Sequence, residues 1–260
     1  MKRPEIHLYD LGNKVTAFST TRKGGYSEGP YGQFNINCYC GDEPTAIQKN
    51  RAALCELLGI DDSRLLMPHQ VHQTKVAVID EAYLKRPHTD CLQLLEGVDA
   101  LMTDVRGVCI GVSTADCIPV LLYDEEHHAV CAVHAGWRGT VKRIVQQAVL
   151  RMADTYGTRP TSLVAQIGPG ISLDSFEVGD EVYETFQHEG FQMSTISRKD
   201  EKWHIDLPAC NRLQLLDVGV ESASIHHADI CTYKHCEDYF SARRLGIQSG
   251  RIFTGILCTK

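Results

Sequence analysis

Apolar residues recur along this chain with two periods, and the switch between them marks out its elements. Residues 15–18 alternate as a strand does and run into Ser19-Thr-Thr-Arg22-Lys23-Gly24-Gly25, a polar loop with glycines able to expose backbone amides to an anion. Ile47, Leu54, Leu57 and Leu58 then repeat at helical spacing, with Asp42 placed to cap the helix, Pro44 in its first turn and Gly59 at its end. Beyond Pro68-His69-Gln70-Val71-His72, alternation at His72, Thr74, Val76 and Val78 predicts a strand with His72 at its entrance. Residues 83–97 are polar and read as a loop. Residues 98–102 and 108–112 read as two short strands.

The segments 118–123 and 129–133 are apolar and rich in β-branched residues, and the polar stretch 124–128 between them reads as a hairpin turn. Pro119 is out of place in a ladder, because proline cannot donate to it. Val141, Ile144, Val145, Ala148, Val149 and Met152 mark the next helix, with Thr140 as its cap and Gly157 as its end. A strand at 163–167, a helix at 180–188, a helix at 208–218 and a strand near Ile225 complete the pattern. No linker or repeat divides the chain, so residues 1–260 are expected to form one α/β domain.

Composition narrows the class. A chain of 260 residues with 43% hydrophobic and 23% charged residues has the make-up of a soluble globular protein. Its net charge of -7 and pI near 5.9 argue against a broad nucleic-acid footprint. No run approaches the roughly 18 apolar residues of a membrane span, and the first residues carry no secretory pattern, so a cytoplasmic location is expected. Eleven scattered cysteines then read as reduced thiols, core residues or metal ligands.

The chemistry concentrates in Ser113-Thr-Ala-Asp-Cys117 and His134-Ala-Gly-Trp-Arg138-Gly139. Centring the hairpin between Glu125 and Glu126 opposes Cys117 to His134, with Cβ atoms about 5 Å apart. A thiolate and an imidazole so placed share a metal ion or a proton. His72 is the best third ligand and His69 its competitor; three residues apart, they face opposite sides of a strand. Two histidines and a cysteinate with a fourth position left for water match a catalytic zinc site. Against this stand plain packing, since free cysteine is among the most buried residue types, and a Cys117 nucleophile with His134 as its base. Asp116 is expected on the opposite face from Cys117. Cys231, His235 and Cys236 read as core rather than ligands.

Three local cationic spots stand out in an acidic chain: Arg22-Lys23, Arg138 at a helix N-terminus, and Arg243-Arg244 with Arg251 close by. Guanidinium groups there suit phosphate or carboxylate. Trp137, Tyr239 and Phe240 offer rings on which a base could stack, with core packing as the alternative.

Taken together, Phe18-Ser-Thr-Thr-Arg22-Lys-Gly-Gly25, Gly41-Asp-Glu-Pro44, Gln70-Val-His72, Thr114-Ala-Asp-Cys117-Ile-Pro, His134-Ala-Gly-Trp-Arg-Gly139, Ile167-Gly-Pro-Gly-Ile-Ser172 with Phe176-Glu177-Val, and Tyr239-Phe-Ser241 with Arg243-Arg244 resemble the YfiH-like family. These are the laccase-domain or polyphenol-oxidase proteins described as zinc-dependent purine nucleoside phosphorylases. Three departures are visible: Ala242 before the paired arginines, Leu245 after them, and Thr21, which lengthens the Ser-Thr-Arg run ahead of Arg22. The resemblance puts metal ligands on His72, Cys117 and His134. It implies a four-layer α/β/β/α sandwich of mixed sheets, similar to a cysteine-hydrolase-like toxin domain. It also implies phosphorolysis of adenosine, inosine, guanosine and methylthioadenosine, together with adenosine deamination. For phosphorolysis, Cys117, His134 and Arg138 with zinc are the expected catalytic centre, and the cationic residues Arg22, Arg243 and Arg244 are the expected phosphate- or nucleoside-binding groups. Glu177 is a proton shuttle only if the fold brings it to the metal, and the general acid is otherwise unassigned. The alternatives are a copper-dependent phenol oxidase, disfavoured by the absence of a His-x-His pair, and a non-catalytic zinc module that binds purines.

Overall fold

The computed structural model describes residues 2–259. Strands and helices are numbered here in chain order. One sheet has five strands in the order β1 (Ile6–Tyr9), β2 (Val15–Thr20), β14 (Ile252–Cys258), β6 (Cys109–Thr114) and β3 (Leu65–Leu66). The second has six, in the order β13 (Ile225–His227), β9 (Leu163–Ile167), β7 (Ile118–Asp124), β8 (Ala129–Ala135), β5 (Ala100–Thr103) and β4 (Val76–Val78). Both are mixed, with parallel pairs at β3–β6, β4–β5 and β9–β13 and antiparallel pairs elsewhere. A small antiparallel sheet joins β10 (Glu177–Val178), β12 (Trp203–Ile205) and β11 (Ser197–Lys199).

Strand parity explains the layering. In β14, Ile256 and Cys258 meet Leu121, Tyr123, Val130 and Ala132 of the six-stranded sheet, whereas Phe253 and Leu257 face the other way, onto Leu54 and Cys55 of helix α1 (Pro44–Leu58). On the far side of the six-stranded sheet, Val120, Leu122, Cys131 and Val133 pack beneath α5 (Ile144–Tyr156), α6 (Asp180–His188) and α8 (Leu207–Asp217). A strand covered on both faces reads as a near-continuous apolar run, and β6, β7, β8 and β14 are buried at every position. The expected α/β/β/α architecture of mixed sheets is the one found. No helix among the described residues is long and apolar enough to cross a membrane.

Several local expectations are corrected. α1 is capped by Glu43, whose carboxylate accepts from the Thr45 amide, because Asp42 is occupied by Ser27 Oγ and Asn35 Nδ2. The polar stretch after Ile79 forms two short helices, α2 (Glu81–Leu84) and α3 (His88–Leu94); Asp80 caps the first. Thr140 caps nothing. It lies inside the short helix α4 (Trp137–Val141), and α5 starts afresh after Arg143, which adopts φ 63°. The hairpin turn spans four residues, with Asp124 paired to Ala129, so Pro119 rather than Cys117 stands opposite His134. That is a slip of two residues, which leaves every side chain on its expected face. Pro119 is tolerated although β7 is flanked on both sides: its carbonyl accepts from Gly168 beyond the last β7–β9 pair, at Val120, so its missing N–H points past the end of β9. The remaining short helices are α7 (Met193–Ile196) and α9 (Ala242–Leu245).

Candidate metal centre

A single buried carboxylate organises the open end of the layer between the two large sheets. Asp99 precedes β5 and is fully buried. Its Oδ1 accepts from His134 Nδ1 at 2.7 Å and from the His72 amide at 2.9 Å, while Oδ2 accepts from the Gln73 amide at 2.8 Å and the Val71 amide at 3.3 Å. Three successive amides converging on one carboxylate wrap residues 71–73 into a turn, and His72 takes up φ 62° to make it. His72 therefore belongs to a turn ahead of β4, not to the strand entrance that the alternation predicts. The same carboxylate fixes the His134 ring and leaves Nε2 as the nitrogen for a ligand.

Cys117 arrives from the other side. It has the parity of the inter-sheet face of β7, as His134 has on β8, and follows Asp116, a non-glycine residue at φ 86°. That conformation is secured by the Asp116 carboxylate, which accepts from Ser241 Oγ and the Arg243 amide at 2.6 Å each and from Thr232 Oγ1 at 2.9 Å. Asp116 thus anchors the Cys117 segment to the turn that carries α9.

His72, Cys117 and His134 offer ligand atoms that all lie within 4.8 Å of one another. The backbone of Gly136 closes the floor. A Cβ there would fall 2.9 Å from His72 Cδ2 and 3.0 Å from Cys117 Sγ; at φ -66° the backbone would accept any residue, so glycine is needed for space alone. Two imidazoles and a sulfur held this way fit a divalent transition metal. Burial works to raise the Cys117 thiol, but the neighbouring His134 and His72 overcome it and bring the thiol down to about 6. For His134, burial disfavours the charged ring, yet Cys117 and Asp99 raise it to about 9. Burial likewise pushes Asp99 up, and its bonds to His134 and the turn amides hold it below the usual carboxylate value. The triad is thus poised as thiolate and imidazolium, and a metal ion would take the place of the shared proton.

The triad opens into a cleft of about 190 Å³ whose walls include Tyr39, His69, Ser113, Ala242, Ile247 and Arg251. The four arginines singled out from sequence lie elsewhere. Arg22 spans the Gly32 and Cys236 carbonyls and covers Phe240. Arg138 lies over the Trp137 ring at 4.3 Å. Arg243 Nη1 donates to the Glu177 carbonyl, and Arg244 stands 5.1 Å from the Tyr233 ring. Arg243 and Arg244 do belong to α9, whose first residue, Ala242, lines the cleft. Glu177 is paired with Lys202 at the surface and is not part of the cleft wall. Cys231 is buried against Ser172, and Tyr239 and Phe240 are core. Asp99 and Tyr39 were missed by sequence reasoning. The one trace of Asp99 was an acid at the head of an apolar strand.

A family model described as multi-copper polyphenol oxidoreductase laccase matches residues 16–259. The chain belongs to this family. A relative named purine nucleoside phosphorylase, from Bacteroides thetaiotaomicron, is 50% identical over 251 residues, covering 95% of this chain and 93% of its own. The adenosine deaminase RL5, from an unknown prokaryotic organism, is 43% identical over 93% of each chain. Among solved structures, Bacillus licheniformis YfiH superposes with a TM-score of 0.91 at 27% identity over 99% of this chain and 97% of that one. YlmD from Geobacillus stearothermophilus gives 0.90 at 29% identity, over 97% and 94%. The resemblance drawn from the motifs therefore holds. The two curated relatives are named as enzymes of two nucleoside reactions, which supports an enzyme rather than a passive binding module.

Proposed function

We propose that the chain is a purine nucleoside phosphorylase, acting on adenosine, inosine, guanosine or methylthioadenosine with inorganic phosphate, and that the same cleft deaminates adenosine. The observation that carries this reading is the convergence of His72, Cys117 and His134 at the floor of an open cleft, in a chain 50% identical to a protein named for phosphorolysis.

His72, Cys117 and His134 would hold zinc, which would supply Lewis acidity at the cleft floor. The protein's own contributions can be named residue by residue. Asp99 keeps Nδ1 of His134 engaged, so the ring presents Nε2 and cannot rotate away. Gly136 leaves the floor low enough for the triad to close. Arg251 supplies a guanidinium to the cleft wall, anchored through the Ser249, Gly250 and Ile247 carbonyls. It joins Arg243 and Arg244, which follow the cleft-lining Ala242 on α9, as the phosphate-binding candidates. Arg22 and Arg138 support structure through carbonyl bonds and ring contact.

The family description favours a second reading, copper-dependent oxidation of phenols, since histidine and cysteine also make copper centres. Metal-analysed protein incubated with each nucleoside, with and without phosphate, separates the readings by chromatography. Phosphate-dependent release of free base and ribose 1-phosphate, absent in Cys117→Ala, supports phosphorolysis. Stoichiometric copper, an intense blue colour and phenol turnover without nucleoside loss would replace it with the oxidase.

A further inference from the structure

Phosphorolysis of a purine nucleoside needs a proton at the departing base, and none of the triad's groups is free to give one. The cleft holds a further histidine with the geometry of a proton donor. His69 Nδ1 is held by both oxygens of Glu96, at 2.7 and 2.9 Å. Its backbone is locked by two hydrogen bonds, its amide donating to the Leu95 carbonyl and its carbonyl accepting from the Gly97 amide. Tyr39 lies flat on the imidazole, with centroids 4.2 Å apart and planes 21° from parallel. The ring is therefore fixed in plane, in rotation and in tautomer. With Nδ1 committed to Glu96, Nε2 is the nitrogen left for a ligand in the cleft that His69 shares with His72, Cys117 and His134. A structural role alone does not call for such an arrangement, because the ring is one-third exposed and its carboxylate partner more so.

We infer that His69 is the general acid of the proposed phosphorolysis, giving its Nε2 proton to N7 of the departing purine, with Glu96 and Tyr39 as its positioning residues. The inference rests on the phosphorylase reading above. In the step, an oxygen of hydrogen phosphate forms a bond to the ribose anomeric carbon, and the bond from that carbon to purine N9 breaks. Its electron pair passes into the purine ring, and the Nε2 proton is transferred to N7. The products are ribose 1-phosphate and neutral base. The proton that hydrogen phosphate brought in is released through solvent and restores the imidazolium, so no further reactant is required. The carboxylate of Glu96 holds Nδ1 and so keeps Nε2 in place for the transfer. The exposed face of Tyr39, which is 42% accessible, and the side chain of Ile247, 75% accessible, offer apolar surface for the base beside this donor.

The test compares inosine with 7-methylinosine, whose purine already carries positive charge at N7 and leaves without protonation. Wild-type protein must first split inosine with phosphate; if it does not, the phosphorylase reading itself fails. Given that activity, His69→Asn should lower kcat on inosine about 100-fold and change kcat on 7-methylinosine less than about 3-fold. An equal loss on both substrates, with metal content unchanged, would overturn the assignment. Should His69→Asn fail to fold or lose metal, Glu96→Gln takes its place: it leaves the ring present but weakens its hold. It should show the same selective loss on a smaller scale, and uniform behaviour toward the two substrates would equally overturn the inference.

Discussion

At the residue scale, Asp99 does more for the centre than any ligand does for itself. A buried carboxylate that takes four hydrogen bonds cannot be replaced by an amide without turning at least one acceptor into a donor facing donors. Asp99→Asn is expected to lower metal affinity about 10–100-fold, measured by competition with a chromophoric chelator, with the fold retained by circular dichroism. Cys117 yields a pH prediction. Its thiol is held at about 6, below its ordinary value of 9.0, so folded protein carries a thiolate where the unfolded chain carries a thiol. The stability this group contributes is present in full above 9 and is lost as pH falls through 6. His134 has the opposite sign: raised from 6.5 to about 9, it contributes fully below 6.5 and loses that contribution as pH rises through 9. In metal-free protein, alkylation of Cys117 by iodoacetamide, followed by peptide mass spectrometry, should therefore rise with a midpoint near pH 6. Bound metal should protect the sulfur.

At the element scale, the least visible strand is the central one. β14 lies between β2 and β6 and pairs along its length with both. Its sequence, Ile252-Phe-Thr-Gly-Ile-Leu-Cys258, is a short apolar run without alternation, which does not distinguish a strand buried on both faces from the tail of a helix. The glycine inside it has a packing reason. Gly255 faces Gly111 across the ladder, and the Phe253 ring occupies the space that two side chains would otherwise fill. Phe253→Ala should destabilise the protein by about 3–5 kcal/mol in chemical denaturation, because the ring is fully buried against Phe18 and the α1 layer. The hairpin teaches the same lesson in a milder form. Its existence and strand faces followed from the pattern, but its register depended on a four-residue turn in which His128 adopts φ 54°.

At the scale of the whole molecule, the site lies at the mouth of the sandwich, outside its apolar layers. The three ligands come from a turn, a bend and the end of β8, each held by hydrogen bonds to protein. Metal is therefore not needed to form the cores. Protein stripped with a chelator should keep its far-ultraviolet circular dichroism and lose only the stabilisation that binding provides, roughly 2.7 kcal/mol at about 100 times Kd. Collapse of the secondary structure on chelation would show that the centre is part of the folding nucleus.

What the sequence determined by itself was the set of local decisions. Period and punctuation placed β9 and α6 at their observed bounds and α1 and α8 to within a residue or so, because an amphipathic stripe ending in glycine carries its own instructions. Strand parity put Cys117 and His134 on one face, and parity survives a two-residue slip; His72 joined them through an alternation that the structure replaces with a turn. The tertiary structure decided everything that depends on one segment meeting another. Asp99 stands 35 residues from the histidine it orients, and Glu96 stands 27 from His69. Arg22 and Arg243 turn to carbonyls of distant segments, Cys236 and Glu177, rather than to the cleft. Hydrogen-bond partners across such separations are chosen by the packing of two sheets, and no periodicity along the chain records that choice.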